Sequence, residues 1–235
     1  MANFSENYYT PYQSAKLALR RFVRDRLRLS PKVPWLFRRV RNLVEGARVL
    51  DAGCGTGGLL ELMERENPRI AAYGVDIGHP PFFLPVGTFL SGSVSELPFV
   101  DDRFDVVTCS HVIEHLSDPA SCVRELLRVC RPGGCVYLEV PSPRAAWFPF
   151  FNVFWDDPTH VRPYSRIGLC RLLEMQGAQV VKSGTKRSLP AVIFGLPYVF
   201  IGSLMGDPQA KSMFAIYAFG FSVYAVAEKS HYHEI

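Results

Sequence analysis

Between Val49 and Gly58 the chain reads Val-Leu-Asp-Ala-Gly-Cys-Gly-Thr-Gly-Gly, an apolar run that ends in an acid and breaks into glycines just before a helical pattern begins at Leu59. This is the order of a buried strand, a tight loop and a helix start. Glycines suit such a loop because they reach positive φ without steric cost and let a ligand approach the backbone closely. The helix start behind them offers unpaired N–H groups. A nucleotide-like cofactor is the first expectation.

Gly53, Gly55 and Gly58 also satisfy G-x-G-x-x-G, and the next strand ends in Asp76, close to the roughly 20-residue spacing of a dinucleotide fingerprint. Asp51 separates the alternatives. A carboxylate at the mouth of the loop repels a pyrophosphate, whereas it suits a cofactor that carries an ammonium and a sulfonium and no phosphate. S-adenosylmethionine is therefore expected rather than NAD. At a strand end, Asp76 is placed to accept both ribose hydroxyls of an adenosyl group.

Four segments appear in a telling order: VLDAGCGTGG at 49–58, GVDI at 74–77, LPFVDDRFDVVTCSHVIEHLSDP at 97–119 and LLRVCRPGGCVYLEVPSP at 126–143. With them the chain resembles the class I S-adenosylmethionine-dependent methyltransferases, in the type 11 group that includes ubiquinone-biosynthesis O-methyltransferases. The resemblance runs from about Val49 to Gly177, with Phe219 to Glu228 as a final strand. It implies an α/β fold, a Rossmann-like seven-stranded sheet, mostly parallel with a terminal antiparallel hairpin. It also implies cofactor contacts from Asp51, Gly53, Gly55, Gly57, Asp76, Ile77, Ser93, Val94 and Ser110. Ser93 departs from the pattern, standing where many relatives have an Asp for the adenine amino group. A serine oxygen or the Val94 N–H can still read that edge, without charge assistance.

With 235 residues, 48% of them hydrophobic, the chain can bury one α/β core. Residues 1–47 read as a basic helical extension and 48–235 as the methyltransferase domain. The net charge of +4 is uneven: residues 1–48 hold eleven Lys/Arg against three Asp/Glu. The densest part, 16–29, is compatible with a solvated packed helix, an anionic membrane surface or a nucleic acid. Six cysteines at 54, 109, 122, 130, 135 and 170 lack C-x-x-C spacing and read as buried thiols of a reducing, cytoplasmic compartment. No charged n-region followed by an apolar stretch opens the chain.

The acceptor side is expected beyond the strand Phe104 to Cys109, whose C-terminal end leads into Ser110, His111, Glu114 and His115. His111-x-x-Glu114-His115 also fits a metalloprotease pattern, but it follows a Rossmann-like strand inside a full methyltransferase framework, so that reading is rejected. Positions i, i+3 and i+4 share one helical face and can bind a divalent metal, with His160 as the extra ligand. Small-RNA 3′-end methyltransferases and some ubiquinone-pathway enzymes are similar in this respect. A metal-free arrangement is nevertheless preferred, with His111 or His160 as the base that orients the acceptor.

Segment 141–163 reads as the acceptor pocket, with Trp147, Phe148, Phe151, Trp155, Asp157, His160 and Arg162 as its wall. An apolar insertion, 189–213, contains eighteen uncharged residues at 189–206. Its prolines and glycines argue against a span and for a pocket wall, a subunit interface or a membrane contact. The expected activity is methyl transfer to an oxygen of a small-molecule, lipid-linked or glycan acceptor, with peripheral membrane contact through 16–29 and 189–206 and a homo-oligomer both open. An RNA methyltransferase and an inactive cofactor-binding scaffold are the alternatives.

Overall fold

Three wholly buried residues, Val49, Leu50 and Ala52, draw β1 (Arg48–Ala52) into the middle of a sheet, where it is hydrogen-bonded on both sides. The computed structural model describes residues 34–55, 57–78, 88–147, 154–186 and 220–230. The basic stretch 16–29 and the apolar insertion 189–213 lie outside them, as do Phe148 and Phe151. β2 (Ala71–Asp76) and β3 (Thr88–Ser91) continue the sheet on one side of β1. On the other side follow β4 (Phe104–Ser110) and β5 (Cys130–Pro141), all four pairings being parallel.

The last strands, β6 (Gln179–Lys186) and β7 (Ser222–Glu228), pair antiparallel with each other, and β7 pairs antiparallel with β5. The order is β3-β2-β1-β4-β5-β7-β6, the seven-stranded sheet with an antiparallel end that the sequence leads one to expect. Strand order reverses between β1 and β4. In an open α/β sheet, the crevice beyond the carboxyl ends at such a switch point is where ligands bind.

Side chains alternate across β1, so Val49 and Leu50 enter different cores. Val49 packs with Leu36, Phe37 and Val40 of α1 (Pro34–Arg41) and with Leu60 and Met63 of α2 (Gly58–Glu66). Leu50 packs with Val123 and Leu126 of α3 (Pro119–Val129) and with Leu169 and Leu173 of α5 (Arg166–Glu174); the short α4 (Pro143–Trp147) precedes α5. Both layers have legible starts. Asp118 accepts from the Ala120 and Ser121 N–H groups ahead of α3, and Ser165 accepts from Gly168 N ahead of α5.

Two boundaries differ from expectation. β3 stops at Ser91 rather than Val94, because the chain turns at Val94–Ser95, where Ser93 and Glu96 face each other and the Glu96 N–H donates to the Ser93 carbonyl. β5 begins at Cys130 rather than Cys135. Phe104 pairs with Cys130 and Val106 with Cys135, so Arg131 to Gly134 bulge out within the strand instead of forming a separate turn. All six cysteines are free, five of them buried. Among the described residues, no helix is long and apolar enough to cross a membrane.

Candidate active site

The glycine loop is tied to β2 through its backbone. Gly53 N and Cys54 N both donate to the Val75 carbonyl, at 2.7 and 3.0 Å. Gly53, Gly55 and Gly57 have φ of 77°, 49° and 72°. Gly53 has a second constraint, because a Cβ there would meet Val112 Cγ2 at 2.2 Å. Gly53→Ala combines a disfavoured φ with overpacking, which costs about 1–3 kcal/mol in stability. A companion Val112→Ala should recover the clash and not the φ strain, as thermal melts of the single and double variants will read.

Asp76 stands at the end of β2. Its Oδ2 accepts from Gly55 N at 2.8 Å and its Oδ1 from Gly78 N at 3.0 Å. A carboxylate has about four lone-pair sites, so each oxygen keeps acceptor capacity. Ile77 beside it is 76% exposed, an apolar surface at the crevice edge. Ser93 Oγ accepts from Ser95 N in its own turn, and Val94 is buried. Ser110 ends β4 with an Oγ that is shielded from solvent and has no hydrogen-bond partner among the described residues.

Asp51 is not at the loop mouth, where the charge argument placed it. It is 3% exposed and lies on β1 beneath the turn, with Thr108 Oγ1 donating to its Oδ1 at 2.7 Å. The reason is register: Asp51 pairs with Gly74 and Thr108 on its two flanks, inside the sheet. Burial lifts its carboxyl to about 7, the Thr108 bond opposes this, and the Asp76 charge adds to it.

On the other side of the crevice His111 adopts φ 55°, and its N–H donates to the Glu139 carbonyl at 2.8 Å. Its ring lies between two carboxylates: Nδ1 is 3.3 Å from Glu114 Oε1, and Nε2 is 3.3 Å from Glu139 Oε1. Burial by itself lowers the imidazolium pKa, but the two carboxylates outweigh it and hold the ring protonated. With both nitrogens facing carboxylates, no lone pair remains. With a carboxylate facing each ring nitrogen, the surroundings of His111 favour a donor to both carboxylates over a base.

Glu139 and its partners escaped the sequence reading. Glu139 Oε2 accepts from the Tyr137 hydroxyl at 2.6 Å, and Lys186 Nζ lies 2.9 Å away. The available signal was one acid inside the apolar strand Cys135 to Pro141. Lys186 carries no local signal.

Segment 154–164 folds onto the turn at Ile113–His115 through its main chain. Val161 N donates to the Glu114 carbonyl at 2.8 Å, and the Tyr164 hydroxyl reaches the Ile113 carbonyl at 3.4 Å. His115 and His160 thereby meet, their ring centroids 4.6 Å apart. Phe154 stacks on His160 at 4.4 Å, while Trp147 and Trp155 are exposed, and Arg162 donates to the Ser117 carbonyl at 3.2 Å. Glu114, His115 and His160 each offer a ligating atom within 4.8 Å of the others, and His111 is not in this group.

The family model described as "Methyltransferase domain" matches residues 17–183. A ubiquinone biosynthesis O-methyltransferase of Pseudomonas fluorescens is 35% identical over 132 residues, covering 50% of this chain and 54% of that one. An S-adenosylmethionine-dependent methyltransferase of Mycolicibacterium smegmatis is 33% identical over 148 residues, covering 62% and 57%. The chain thus spans about half the length of the curated relatives it matches. In fold it is similar to the Haloferax volcanii methyltransferase solved with the Trm112 activator, with TM-score 0.65, 20% identity, and 90% and 93% of the two chains covered. A similar likeness holds for an Archaeoglobus fulgidus SAM-dependent methyltransferase, with TM-score 0.60, 24% identity, and 89% and 94% covered. Sheet order, glycine loop and family match agree: the chain belongs to the methyltransferase-domain family, among the class I S-adenosylmethionine-dependent methyltransferases.

Proposed function

We propose that this chain transfers a methyl group from S-adenosylmethionine to an oxygen of a small-molecule, lipid-linked or glycan acceptor. The observation that carries the reading is the meeting of two differently built walls at the switch point between β1 and β4. One wall is the glycine loop with Asp76, and the other is segment 154–164 docked on the turn after β4.

The cofactor wall fits the cofactor on chemical grounds. Asp76 offers spare carboxylate lone pairs for a ribose diol, Ile77 an apolar surface for an adenine face, and Gly53, Gly55 and Gly57 positions without a side chain ahead of α2. Ser93, Val94 and Ser110 are the nearby polar and apolar residues at the ends of β3 and β4, and Asp51 adds negative charge from beneath. When bound, the cofactor supplies a methyl on a sulfonium, already a good leaving group. What remains for the protein is alignment and removal of a proton from the acceptor.

His160 is suited to the second task. Its Nδ1–H donates to the Phe154 carbonyl at 2.6 Å, which fixes the tautomer and leaves the Nε2 lone pair available. Oxygen as the nucleophile is supported by the name of the Pseudomonas relatives. Saturating S-adenosylmethionine should raise the melting temperature, since mass action adds about 2.7 kcal/mol of stability at a hundredfold excess over Kd. No shift with either S-adenosylmethionine or S-adenosylhomocysteine would overturn the reading. With binding established, a methyl-tritiated cofactor and a panel of phenols, lipid quinols and glycans reads the acceptor class.

A further inference from the structure

We infer that Glu125 and Arg128 of α3 are positioning residues for recognition of the cofactor's base, holding the turn after β3 in the orientation from which it reads the adenine edge. The inference deepens the methyl-transfer reading and rests on it for the place of the adenosyl group. β3 runs beside β2 with Ser91 opposite Asp76, and Gly92 N donates to the Asp76 carbonyl at 3.0 Å. Ser93 and Val94 follow directly, next to the proposed ribose acid. Ser93 Oγ accepts from Ser95 N at 3.1 Å and keeps a second lone pair. The Val94 N–H donates to no group among the described residues, although Val94 is buried, where an unpaired N–H is costly until a ligand takes it. A donor beside an acceptor matches adenine, whose pairing edge has an acceptor at N1 and a donor at N6. Hypoxanthine reverses both.

This turn is tied to the rest of the molecule at one place. Segment 93–101 bonds within itself through Glu96 N to the Ser93 carbonyl and Phe99 N to the Leu97 carbonyl. Among the described residues, every polar bond it makes outside itself ends on Glu125 or Arg128. Glu125 Oε2 accepts from Leu97 N at 2.7 Å. The Arg128 guanidinium donates to the Leu97 and Phe99 carbonyls at 3.0 and 2.8 Å and to Asp101 at 2.7 Å. The two side chains lie one turn apart on α3 and align each other, Arg128 Nε and Nη2 donating to the two Glu125 oxygens at 2.7 and 2.8 Å.

Apolar contacts carry this placement towards the base. Val94 and Leu97 share a core with Val123 and Leu126 of α3, and a Cβ at Gly92 would touch Pro98 Cδ at 3.4 Å. Such packing sets distance and not direction. The direction of the Val94 N–H therefore depends on the planar fork that fixes the Leu97 and Phe99 peptides. Asp76 is held separately, by Gly55 N and Gly78 N, so the ribose contact does not pass through α3. Loss of the clamp should reach the base and spare the sugar.

The test titrates the full chain calorimetrically with S-adenosylhomocysteine and with S-inosylhomocysteine, its hypoxanthine counterpart. Wild type should prefer S-adenosylhomocysteine by roughly 10–100-fold, the discrimination of a matched pair of base-edge bonds. Arg128→Met and Glu125→Gln should give up about tenfold of that preference through weaker S-adenosylhomocysteine binding, with S-inosylhomocysteine little changed. Arg131→Met, which breaks the 2.7 Å pair with Asp105 just beyond α3, controls for general loosening and should keep the wild-type ratio. Should Arg128→Met fail to fold, the near-isosteric Glu125→Gln decides alone. Clamp variants that hold the wild-type ratio overturn the positioning role, as does an Arg131→Met chain that loses the ratio equally, or a wild type that binds both ligands alike. A wild type that binds neither ligand overturns the methyltransferase reading as well.

Discussion

Asp51→Asn is expected to make the free protein more stable above pH 7 and at the same time a weaker binder of S-adenosylmethionine. The Asp51 carboxyl is 3% exposed, and Thr108 donates one hydrogen bond to it at 2.7 Å. Burial lifts it from 3.8 to about 7, against the Thr108 bond and with help from the Asp76 charge. The folded chain therefore holds this proton more tightly than the unfolded chain. Its stabilising effect is complete below the ordinary value of 3.8 and is lost as pH rises through about 7. Across that window the loss is on the order of 4 kcal/mol. Asparagine keeps an acceptor for Thr108 and has no charge to bury, so urea denaturation should show a gap between variant and wild type that opens as pH rises.

Binding should run the other way. A cationic ligand near Asp51 favours the ionised form, so wild-type affinity for S-adenosylmethionine should rise with pH towards about 7 and then level off. The slope approaches, and does not exceed, tenfold per pH unit for a single proton released. S-adenosylhomocysteine, which lacks the sulfonium charge, should show a flatter profile, and Asp51→Asn should be flat with both. Equal slopes for the two ligands, or an unchanged profile in Asp51→Asn, would refute the charge-selection argument. The pattern is a local conflict between stability and function, with the cost of the buried carboxylate offset only when the cofactor is present.

The elements legible in the sequence are those whose cause is local. The positive φ of the loop glycines, the Asp118 and Ser165 caps and the acid at the end of β2 are each written within a few residues. The place of Asp51 at the end of β1 is legible, and its burial away from the loop mouth is not. Sequence gives its place along β1, whereas its burial comes from pairing with Gly74 and Thr108, which lie 23 and 57 positions away. The carboxylate surroundings of His111 are hidden from the sequence for the same reason. The choice between base and cation rests on Glu139, which reaches it only through the β4–β5 pairing. The docking of His160 on Glu114 is likewise carried by main-chain bonds between distant segments, which no spacing rule registers. What the sequence could have flagged is Glu139 itself, the one charge in the apolar run Cys135–Pro141.

Glu139→Gln should be among the most destabilising single changes in the described part of the molecule, by about 3–5 kcal/mol, the usual cost of removing one partner from a buried ion pair. Glu139 is 2% exposed and Lys186 is held in place across β7, since β5 pairs with β7 and β7 with β6. Burial alone raises the Glu139 carboxyl, but the Lys186 ammonium and the His111 cation outweigh it and hold the group well below its ordinary value of 4.5. Its contribution to stability is thus present above about 4.5 and is lost as pH falls below that value. Wild type should lose stability on acidification more steeply than Glu139→Gln does. Adding Lys186→Met to Glu139→Gln should recover stability, because the uncompensated ammonium is then gone, and the cycle should give a coupling of about 0.5–3 kcal/mol. A Glu139→Gln chain within 1 kcal/mol of wild type at neutral pH, on the order of a surface change, would mean that Lys186 and His111 find equivalent partners without Glu139. The buried charges would then not be what fastens the antiparallel end of the sheet to the crevice.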